Sequence, residues 1–229
     1  WMRGAVTVPL NPQIPKKQKR ELVQKFGCTF SYIELQNQFI SHTTPENSLH
    51  LNLIGNSDTV AAKVQNSINP ENWATIIFTS GSTGSPKAVV HSLANHFYSA
   101  LGANERMPLI PGDRWLLSLP MFHVSGLAIF FRTLLSGAAM VIPVKNTSLT
   151  EMLQKQKITH LSLVPTQLYR LLQTTKGKEA LCQLKLILLG GASIPEILLE
   201  QSAQLGLNLQ TTYGSTEMAS QVATGKNGF

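Results

Sequence analysis

A loop of small hydroxyl residues and glycine occupies residues 79–87, which read TSGSTGSPK. It follows the apolar run at residues 74–78, which is typical of a β-strand. Small residues let the backbone approach a ligand closely, and backbone N–H groups and hydroxyls are neutral donors, while Lys87 supplies one positive charge. The loop therefore fits phosphate binding, although this composition alone is more often found in a plain surface turn.

The order of residues in this loop differs from the Walker P-loop. In the Walker motif the lysine directly follows a glycine and precedes Ser or Thr. Here Lys87 lies three residues beyond Gly84, follows Pro86 and is followed by Ala88. The loop is therefore not a Walker P-loop.

Two later segments carry residues that could contact a nucleotide. Residues 190–192 read GGA after the apolar run at 184–189, and alone they fit a tight turn before a helix. Residues 213–217 read YGSTE. A phosphate suits a hydroxyl donor and a hard cation suits a carboxylate, which are the groups that Thr216 and Glu217 offer. As an isolated pentapeptide, the segment would equally fit a helix cap.

Four histidines need an interpretation. Residues 120–126 read PMFHVSG and place His123 just before a predicted helix, where an isolated histidine is usually a cap or a packed neutral imidazole. His91 and His96 follow the glycine loop closely, and we expect structural roles for both. His160 begins an apolar run, and we expect it to pack at a strand end.

Strand-like and helix-like runs alternate along most of the chain, which predicts an α/β sheet with helices on both faces. Ligands collect at the carboxyl ends of strands in such sheets, and segments 79–87, 190–192 and 213–217 all occupy that predicted position. Strands are predicted at residues 5–9, 49–54, 76–78, 115–119, 138–142, 160–164, 184–189 and 207–212. Helices are predicted at residues 16–26, 92–105, 126–135, 149–155 and 165–172, with another starting at 193–195.

Composition favours a folded protein without a membrane span. Hydrophobic residues make up 43% of the 229 residues and charged residues 14%, so a sizeable core is expected. No apolar run approaches the roughly 20 residues that cross a bilayer, and no N-terminal segment resembles a signal peptide. The two cysteines, Cys28 and Cys182, lack metal-ligand spacing. We therefore expect a reduced, cytoplasmic protein with two structural thiols.

The formal charge of +7 comes partly from the run KKQKR at residues 16–20. No aromatic interleaving and no nucleic-acid motif accompanies this run, so a solvated helix face is favoured over a nucleic-acid patch. The excess charge would also attract anionic ligands such as nucleotides.

Together, these segments resemble the adenylate-forming superfamily of acyl- and aryl-CoA synthetases, adenylation domains and luciferases. TSGSTGSPK resembles its nucleotide-phosphate loop, YGSTE its YGxTE motif, and PMFHVSG its PxFHxxG segment. From about residue 73 onward the chain is also similar to the o-succinylbenzoate–CoA ligases of menaquinone synthesis. The stretches that carry this narrower resemblance are residues 115–126, 159–172, 188–195 and 213–220.

The resemblance implies mixed, largely parallel sheets flanked by helices, and an AMP-forming acid–thiol ligase that uses ATP, Mg²⁺ and CoA. It implies that the β- and γ-phosphates are held by Thr79, Ser80, Gly81, Ser82, Thr83, Gly84 and Lys87. It implies that adenine is framed by Gly190, Gly191, Ala192, Tyr213 and Gly214.

The resemblance also implies roles close to the chemistry. Thr216 would contact the α-phosphate, and Glu217 would bind Mg²⁺. His123, Ser125 and Gly126 would face the acid and CoA. His123, Thr216, Glu217 and Lys87 are therefore the predicted catalytic residues.

Residues 1–229 are expected to form part of the superfamily's large N-terminal AMP-binding domain, without the small C-terminal domain, and to be inactive alone. The expected partners are a small carboxylic acid, ATP and CoA, with no nucleic acid, and the oligomeric state stays open. The preferred acid is o-succinylbenzoate. The alternatives are another aryl- or fatty-acyl-CoA synthetase, a non-catalytic nucleotide-binding fragment, and a nucleic-acid binder that uses the basic run.

Overall fold

The computed structural model of the chain describes residues 6–25, 30–33, 38–41, 69–79 and 87–226. Contacts divide the chain into two compact units, one formed mainly by Leu10–Ser67 and the other mainly by Arg3–Pro9 and Ile68–Phe229. The smaller unit contains helix α1 (Lys16–Lys25) and an antiparallel pair of strands, β1 (Phe30–Ile33) and β2 (Gln38–Ser41).

Helix α1 carries the basic run, and none of its residues is buried. This exposure agrees with the expected solvated face and with the predicted helix at residues 16–26. The predicted strand at 49–54 and Cys28 lie outside the described residues, and Cys182 is an exposed free thiol.

The larger unit begins with a hairpin of strands β3 (Trp73–Thr79) and β4 (Lys87–Ser92). Thr7, within the predicted strand at 5–9, forms an isolated parallel bridge with Thr75. The prediction that the glycine loop follows a strand of the parallel sheet is wrong, because β3 pairs antiparallel with β4 and the loop joins them. The sequence did not reveal β4, since one residue of this strand is buried and no apolar alternation marks it.

The main sheet of the larger unit has six strands. They are β5 (Arg114–Leu116), β6 (Ala139–Val141), β7 (His160–Leu163), β8 (Leu186–Gly190), β9 (Leu209–Ser215) and β10 (Ser220–Lys226). Their spatial order is β10-β9-β8-β7-β5-β6, and every pairing is parallel except that of β9 with β10. Every residue of β7 and β8 is buried, as expected for apolar strands at the centre of a parallel sheet.

Helices cover both faces of this sheet. They are α2 (Leu93–Arg106), α3 (Val124–Ser136), α4 (Leu149–Lys155), α5 (Pro165–Leu172), α6 (Thr175–Cys182) and α7 (Glu196–Gln204). Ile187 and Leu189 belong to one apolar cluster with residues of α4 to α7. Leu186 and Leu188 belong to another cluster with Met107 and Ile129. Successive residues of β8 therefore point to opposite helical layers.

Local capping signals explain several helix boundaries. Ser92 and Asn95 form a capping box at the start of α2, and Pro165 opens α5, where its missing N–H costs little. Gly137 ends α3 with a φ of 70°, in the left-handed region that favours glycine. Helices α4 and α5 have the predicted bounds, whereas α6 was not predicted. No helix within the described ranges is long and apolar enough to cross a membrane.

An ion pair lies in a cleft of about 360 Å³ at the amino edge of the main sheet. Lys185 Nζ donates to Asp113 Oδ1 at 2.6 Å, and the Asp113 side chain is 2% exposed. Burial alone would raise the pKa of the Asp113 carboxyl, but the hydrogen bonds from Lys185 and from the Ile110 N–H outweigh it, so this pKa lies below its ordinary value. The interactions that lower this pKa stabilise the folded protein at pH values above the unfolded pKa of about 3.9. Their contribution to the free energy of unfolding is lost as the pH falls through the folded pKa.

We expect Lys185→Met to lower the apparent melting temperature by about 2–4 °C at pH 7, which corresponds to about 1 kcal/mol for a pair with one exposed partner. The difference from wild type should shrink below about pH 4, because Asp113 is then increasingly protonated in both proteins. Thermal unfolding followed by circular dichroism at several pH values measures both effects. Lys178→Met, on an exposed face of α6, is the control. An equal loss at neutral and acidic pH would contradict the ion-pair assignment.

Candidate functional site

Side-chain hydrogen bonds join neighbouring segments at the carboxyl edge of the main sheet. The Ser118 hydroxyl, just beyond β5, donates to the Ser162 carbonyl of β7. Gln167 Nε2 donates to the Ser118 carbonyl at 3.4 Å, while its Oε1 accepts from the Val164 N–H at 3.0 Å. The segments that follow β5 and β7 are therefore held together. Sequence reasoning missed this role of Ser118 and Gln167, because each depends on a partner far along the chain.

Gly190 lies at a close approach of β8 and β9. It is the buried last residue of β8, and it pairs with Thr212 of β9. A Cβ at Gly190 would lie 2.5 Å from Thr212 Cγ2 and 2.6 Å from the Thr212 carbonyl oxygen. Gly191 follows with a φ of +83°, which favours glycine. This contact places the GGA segment beside the start of YGSTE.

The YGSTE segment continues a strand before it turns. Tyr213, Gly214 and Ser215 belong to β9, so the prediction that the whole segment follows the strand is wrong for these three residues. Antiparallel pairing with β10 extends the strand to Ser215, and a Cβ at Gly214 would collide with the Ser220 carbonyl oxygen. Tyr213 is 64% exposed, which leaves its ring available for stacking on a base.

Thr216 and Glu217 lie on the turn between β9 and β10. Thr216 is half-buried and Glu217 is exposed. Within the part of the chain that the structure describes, no group of three or more His, Cys, Asp or Glu residues could hold a metal by itself. Mg²⁺ commonly takes one or two protein carboxylates and completes its shell with phosphates and water, and a metal role for the exposed Glu217 stays a prediction.

A buried hydrogen-bonded chain reaches this turn from the β3–β4 hairpin. His91 Nε2 lies 2.6 Å from the Thr216 carbonyl oxygen. Thr75 Oγ1 lies 3.4 Å from His91 Nδ1 and 2.8 Å from His96 Nε2. Burial and the nearby His91 lower the pKa of His96 to about 4, so this imidazole is neutral at pH 7. Both histidines are buried, in agreement with the structural roles expected for them.

His123 occupies the position before the first turn of α3. It is the N-cap residue, but its side chain makes no capping hydrogen bond and is exposed beside the Phe122 ring. Ser125 is half-buried, and Gly126 is buried in the first turn. A Cβ at Gly126 would lie 2.5 Å from the Leu119 carbonyl oxygen and would collide with Pro120. His123 is therefore presented at the carboxyl side of β5, while Gly126 permits the chain to pack tightly there.

Arg132 of α3 is a buried cation that sequence reasoning missed. It is 2% exposed, its Nη2 donates to Gln221 Oε1 at 2.9 Å, and its guanidinium lies 5.5 Å from the centre of the Trp115 ring. Its Nε has no hydrogen-bond partner, and none of the described carboxylates pairs with it. Burial lowers its pKa to about 10, which still leaves it charged at pH 7. Gln221 pairs with Gly214, so Arg132 lies next to the YGSTE strand.

The phosphate-loop candidates are placed only at their two ends. Thr79 and Lys87 are paired across the β3–β4 hairpin, where Thr79 is half-buried and Lys87 exposed. The structure thus places the Lys87 side chain at the base of the loop. The remaining candidates lie outside the described residues: Ser80, Gly81, Ser82, Thr83 and Gly84.

A model of the family described as AMP-binding enzyme matches residues 1–228. The chain belongs to the AMP-binding enzyme family. This AMP-binding chain is 41% identical over 220 residues to the 2-succinylbenzoate–CoA ligase of Salmonella typhimurium strain LT2. The match covers 96% of this chain and 45% of the Salmonella protein. The chain spans about half the length of the curated relatives it matches over most of its own length.

Solved structures of AMP-binding enzymes share this fold. An Escherichia coli MenE variant with bound OSB-AMS has a TM-score of 0.78 and 37% identity, covering 97% of this chain and 46% of that one. Bacillus subtilis MenE in complex with ATP and magnesium ion has a TM-score of 0.61 and 32% identity, covering 69% of this chain and 34% of that one. The predicted α/β fold with a mixed, largely parallel sheet flanked by helices is confirmed.

We expect Gly126→Ala to destabilise the fold by about 1–3 kcal/mol, since the added methyl group must displace backbone atoms of Leu119 or Pro120. Gly102→Ala is the matched control, because Gly102 lies within α2 and a Cβ there meets nothing within 4 Å. Alanine is the better helix former by up to about 1 kcal/mol, so the control should be neutral or stabilising. Melting temperatures compare the two variants. A Gly126→Ala protein as stable as wild type would refute the close packing of this turn.

Proposed function

We propose that the full-length gene product is an ATP-dependent 2-succinylbenzoate–CoA ligase. The observation that carries this proposal is the 41% identity to the Salmonella ligase across almost the whole chain. The position of GGA beside YGSTE supports it, because a nucleotide needs both a surface for its base and donors for its phosphates. As part of the same proposal, the enzyme works in the cytoplasm on small molecules, and residues 1–229 belong to its large AMP-binding domain.

The reaction has two half-reactions. A carboxylate oxygen of the acid bonds to the α-phosphorus of ATP, the bond from this phosphorus to the bridging oxygen breaks, and pyrophosphate leaves. The CoA sulfur, after losing its proton, then bonds to the acyl carbon, and AMP leaves with the electrons of the acyl–oxygen bond. The protein's contribution is mainly positioning and charge stabilisation.

The predicted site residues take separate roles in this proposal. Lys87 and the loop before it would bind the β- and γ-phosphates, and the Thr216 hydroxyl would donate to the α-phosphate. Glu217 would hold Mg²⁺, which when bound neutralises phosphate charge. Tyr213 would stack on the adenine, beside Gly191. His123 would lie at the entry of the acid and CoA.

Arg132 suits the second carboxylate of a dicarboxylic acid. A buried guanidinium without an acidic partner is costly, and a bidentate carboxylate is its best complement. Its Nε lacks a partner, whereas Nη2 is held by Gln221. We therefore propose that one carboxylate of 2-succinylbenzoate pairs with Arg132, while the other carboxylate is activated by ATP.

The test of the activity is acid-dependent ATP–pyrophosphate exchange by the full-length gene product, with 2-succinylbenzoate compared against benzoates and fatty acids. Exchange is expected with 2-succinylbenzoate. Glu217→Ala should strongly reduce it and weaken its dependence on Mg²⁺, and Lys87→Ala should raise the KM for ATP. Lys178→Met serves as the control for lost surface charge.

Other results would favour the other functions. Exchange with benzoates or fatty acids but not with 2-succinylbenzoate would indicate a different acyl-CoA synthetase. Saturable ATP binding without exchange for any acid would indicate a non-catalytic nucleotide-binding protein. Unchanged exchange kinetics in Glu217→Ala would refute the metal role of this residue.

The proposed role of Arg132 has a test of its own. Arg132→Lys and Arg132→Met should raise the KM for 2-succinylbenzoate, and the methionine variant should lose about 2–3 kcal/mol in kcat/KM because the ligand carboxylate is then left unpaired. The KM for ATP should stay close to that of wild type. Steady-state kinetics with 2-succinylbenzoate and with its two monocarboxylic analogues, each lacking one of the carboxylates, separate the effects. An equal loss for all three acids would show that Arg132 supports the fold rather than the substrate.

A further inference from the structure

The turn between β9 and β10 has a backbone that needs outside support. Ala219 has a φ of 54° and Ser220 a φ of 110°, values that side-chain-bearing residues rarely adopt. Both residues are buried. Such conformations persist where surrounding structure holds them, and they cluster at functional sites. The Glu217 side chain extends from this turn. The position of its carboxylate therefore depends on the groups that fix the backbone of the turn.

Three hydrogen bonds fix this backbone, and two of them come from other elements. The Ala219 N–H donates to the Thr216 carbonyl at 3.0 Å, which closes the turn itself. His91 of β4 binds the same carbonyl oxygen, at 2.6 Å. Ser99 of α2 donates its hydroxyl proton to the Ala219 carbonyl at 2.9 Å. The turn is thus held at both ends from outside its own hairpin.

The partners of His91 determine which atoms donate and which accept in the series of hydrogen bonds that ends at the Thr216 carbonyl. A carbonyl oxygen only accepts, so His91 Nε2 carries the hydrogen. In the neutral ring Nδ1 is then an acceptor, which lets the Thr75 hydroxyl donate to it and accept in turn from His96 Nε2. The His96 ring stacks on Phe131 with centroids 4.5 Å apart and planes 5° apart. The His91 ring is therefore oriented from behind by buried groups.

The position of His91 in its strand links two parts of the site. Strand β4 begins at Lys87, at the end of the phosphate-loop candidate, and reaches His91 before α2 starts. Its backbone pairs with β3 from Lys87 to Ser92, with a register shift between Trp73 and Thr75 of β3. One short strand therefore carries the cation expected to bind phosphate and the imidazole that holds the turn of Glu217.

We propose that His91 is a positioning residue that sets the location of Thr216 and Glu217 relative to strand β4, which begins at Lys87, through its hydrogen bond to the Thr216 carbonyl. The proposal rests on the proposed function. Within the described part of the chain, no side chain pairs with the Glu217 carboxylate. The backbone of the turn therefore determines where this carboxylate lies. Loss of this hydrogen bond, the His91 tether, should first affect the interaction with Mg²⁺ and the rate of adenylation. It should leave recognition of the acid largely intact.

The test compares His91→Leu with His91→Gln in the full-length gene product. Leucine removes the donor, whereas the glutamine amide can place an N–H near the position of Nε2. His160→Leu is the matched control, because His160 is equally buried but lies at the amino edge of the main sheet, at the start of β7. The measurements are the Mg²⁺ dependence of ATP–pyrophosphate exchange, the KM for the acid and the melting temperature.

We expect His91→Leu to raise the Mg²⁺ concentration for half-maximal exchange, and to lower the maximal rate, by about 10–100-fold, the range found when the support of a metal ligand is lost. The KM for the acid should change by less than about threefold, and His91→Gln should restore most of the rate. Ser99→Ala should act in the same direction but more weakly, and it serves if His91→Leu fails to fold. A Mg²⁺ dependence equal to that of wild type or of His160→Leu, or no recovery with glutamine, would overturn the proposal.

Amide hydrogen exchange measures the His91 tether independently of the enzyme activity. Amides of the peptide 213–221 should exchange faster in His91→Leu than in wild type, and at the wild-type rate in His160→Leu. If the wild-type enzyme shows no pyrophosphate release with any acid, the proposed function fails, while the hydrogen exchange still decides the tether. Unchanged exchange of this peptide in His91→Leu would overturn the positioning role whatever the enzyme activates.

Discussion

Parallel pairing between β7 and β8 is the constraint on which the site depends. Both strands are buried along their whole length, so their backbone polar groups must be satisfied by neighbouring strands rather than by water. The parallel register, with Leu163 opposite Leu189, brings both carboxyl ends to one edge of the sheet. Segments that follow these strands therefore begin side by side, although they are far apart in sequence. The position of residues 190–192 at this edge, beside the segment that follows β7, is therefore a consequence of core formation.

Close backbone approach determines where glycine is required at this edge. Gly190 admits Thr212, and Gly214 admits the Ser220 carbonyl, so both positions are explained by strand packing before any ligand is considered. Strand β10 then returns antiparallel to β9, which confines Thr216 and Glu217 to a short turn. A glycine in a nucleotide motif can thus have a structural cause, while the groups that do chemistry sit on the turn that the packing creates.

Local sequence patterns predicted the elements whose signals are themselves local. Apolar runs indicated β7 and β8, and the bounds of α4 and α5 matched because Ser148 and Pro165 mark their starts. The hydrogen-bond partners of Arg132 and His91 could not be predicted in this way. Arg132 meets Gln221 across 89 positions, and His91 meets Thr216 across 125. Only the tertiary fold makes such pairs neighbours, so their roles follow from the structure.

The two edges of the main sheet differ in how buried charge is balanced. At the amino edge, the Asp113 carboxylate is matched by Lys185, and no ligand is needed to neutralise it. Next to β10, the Arg132 guanidinium is buried without a carboxylate among the described residues. An unbalanced buried charge lowers stability, and a site that keeps one discriminates strongly against ligands that cannot pair with it. A bound anion that pairs with the guanidinium would offset this cost. Under the proposed function, this asymmetry is our physical argument for a dicarboxylic acid over a monocarboxylic one, and the argument is independent of the nucleotide motifs.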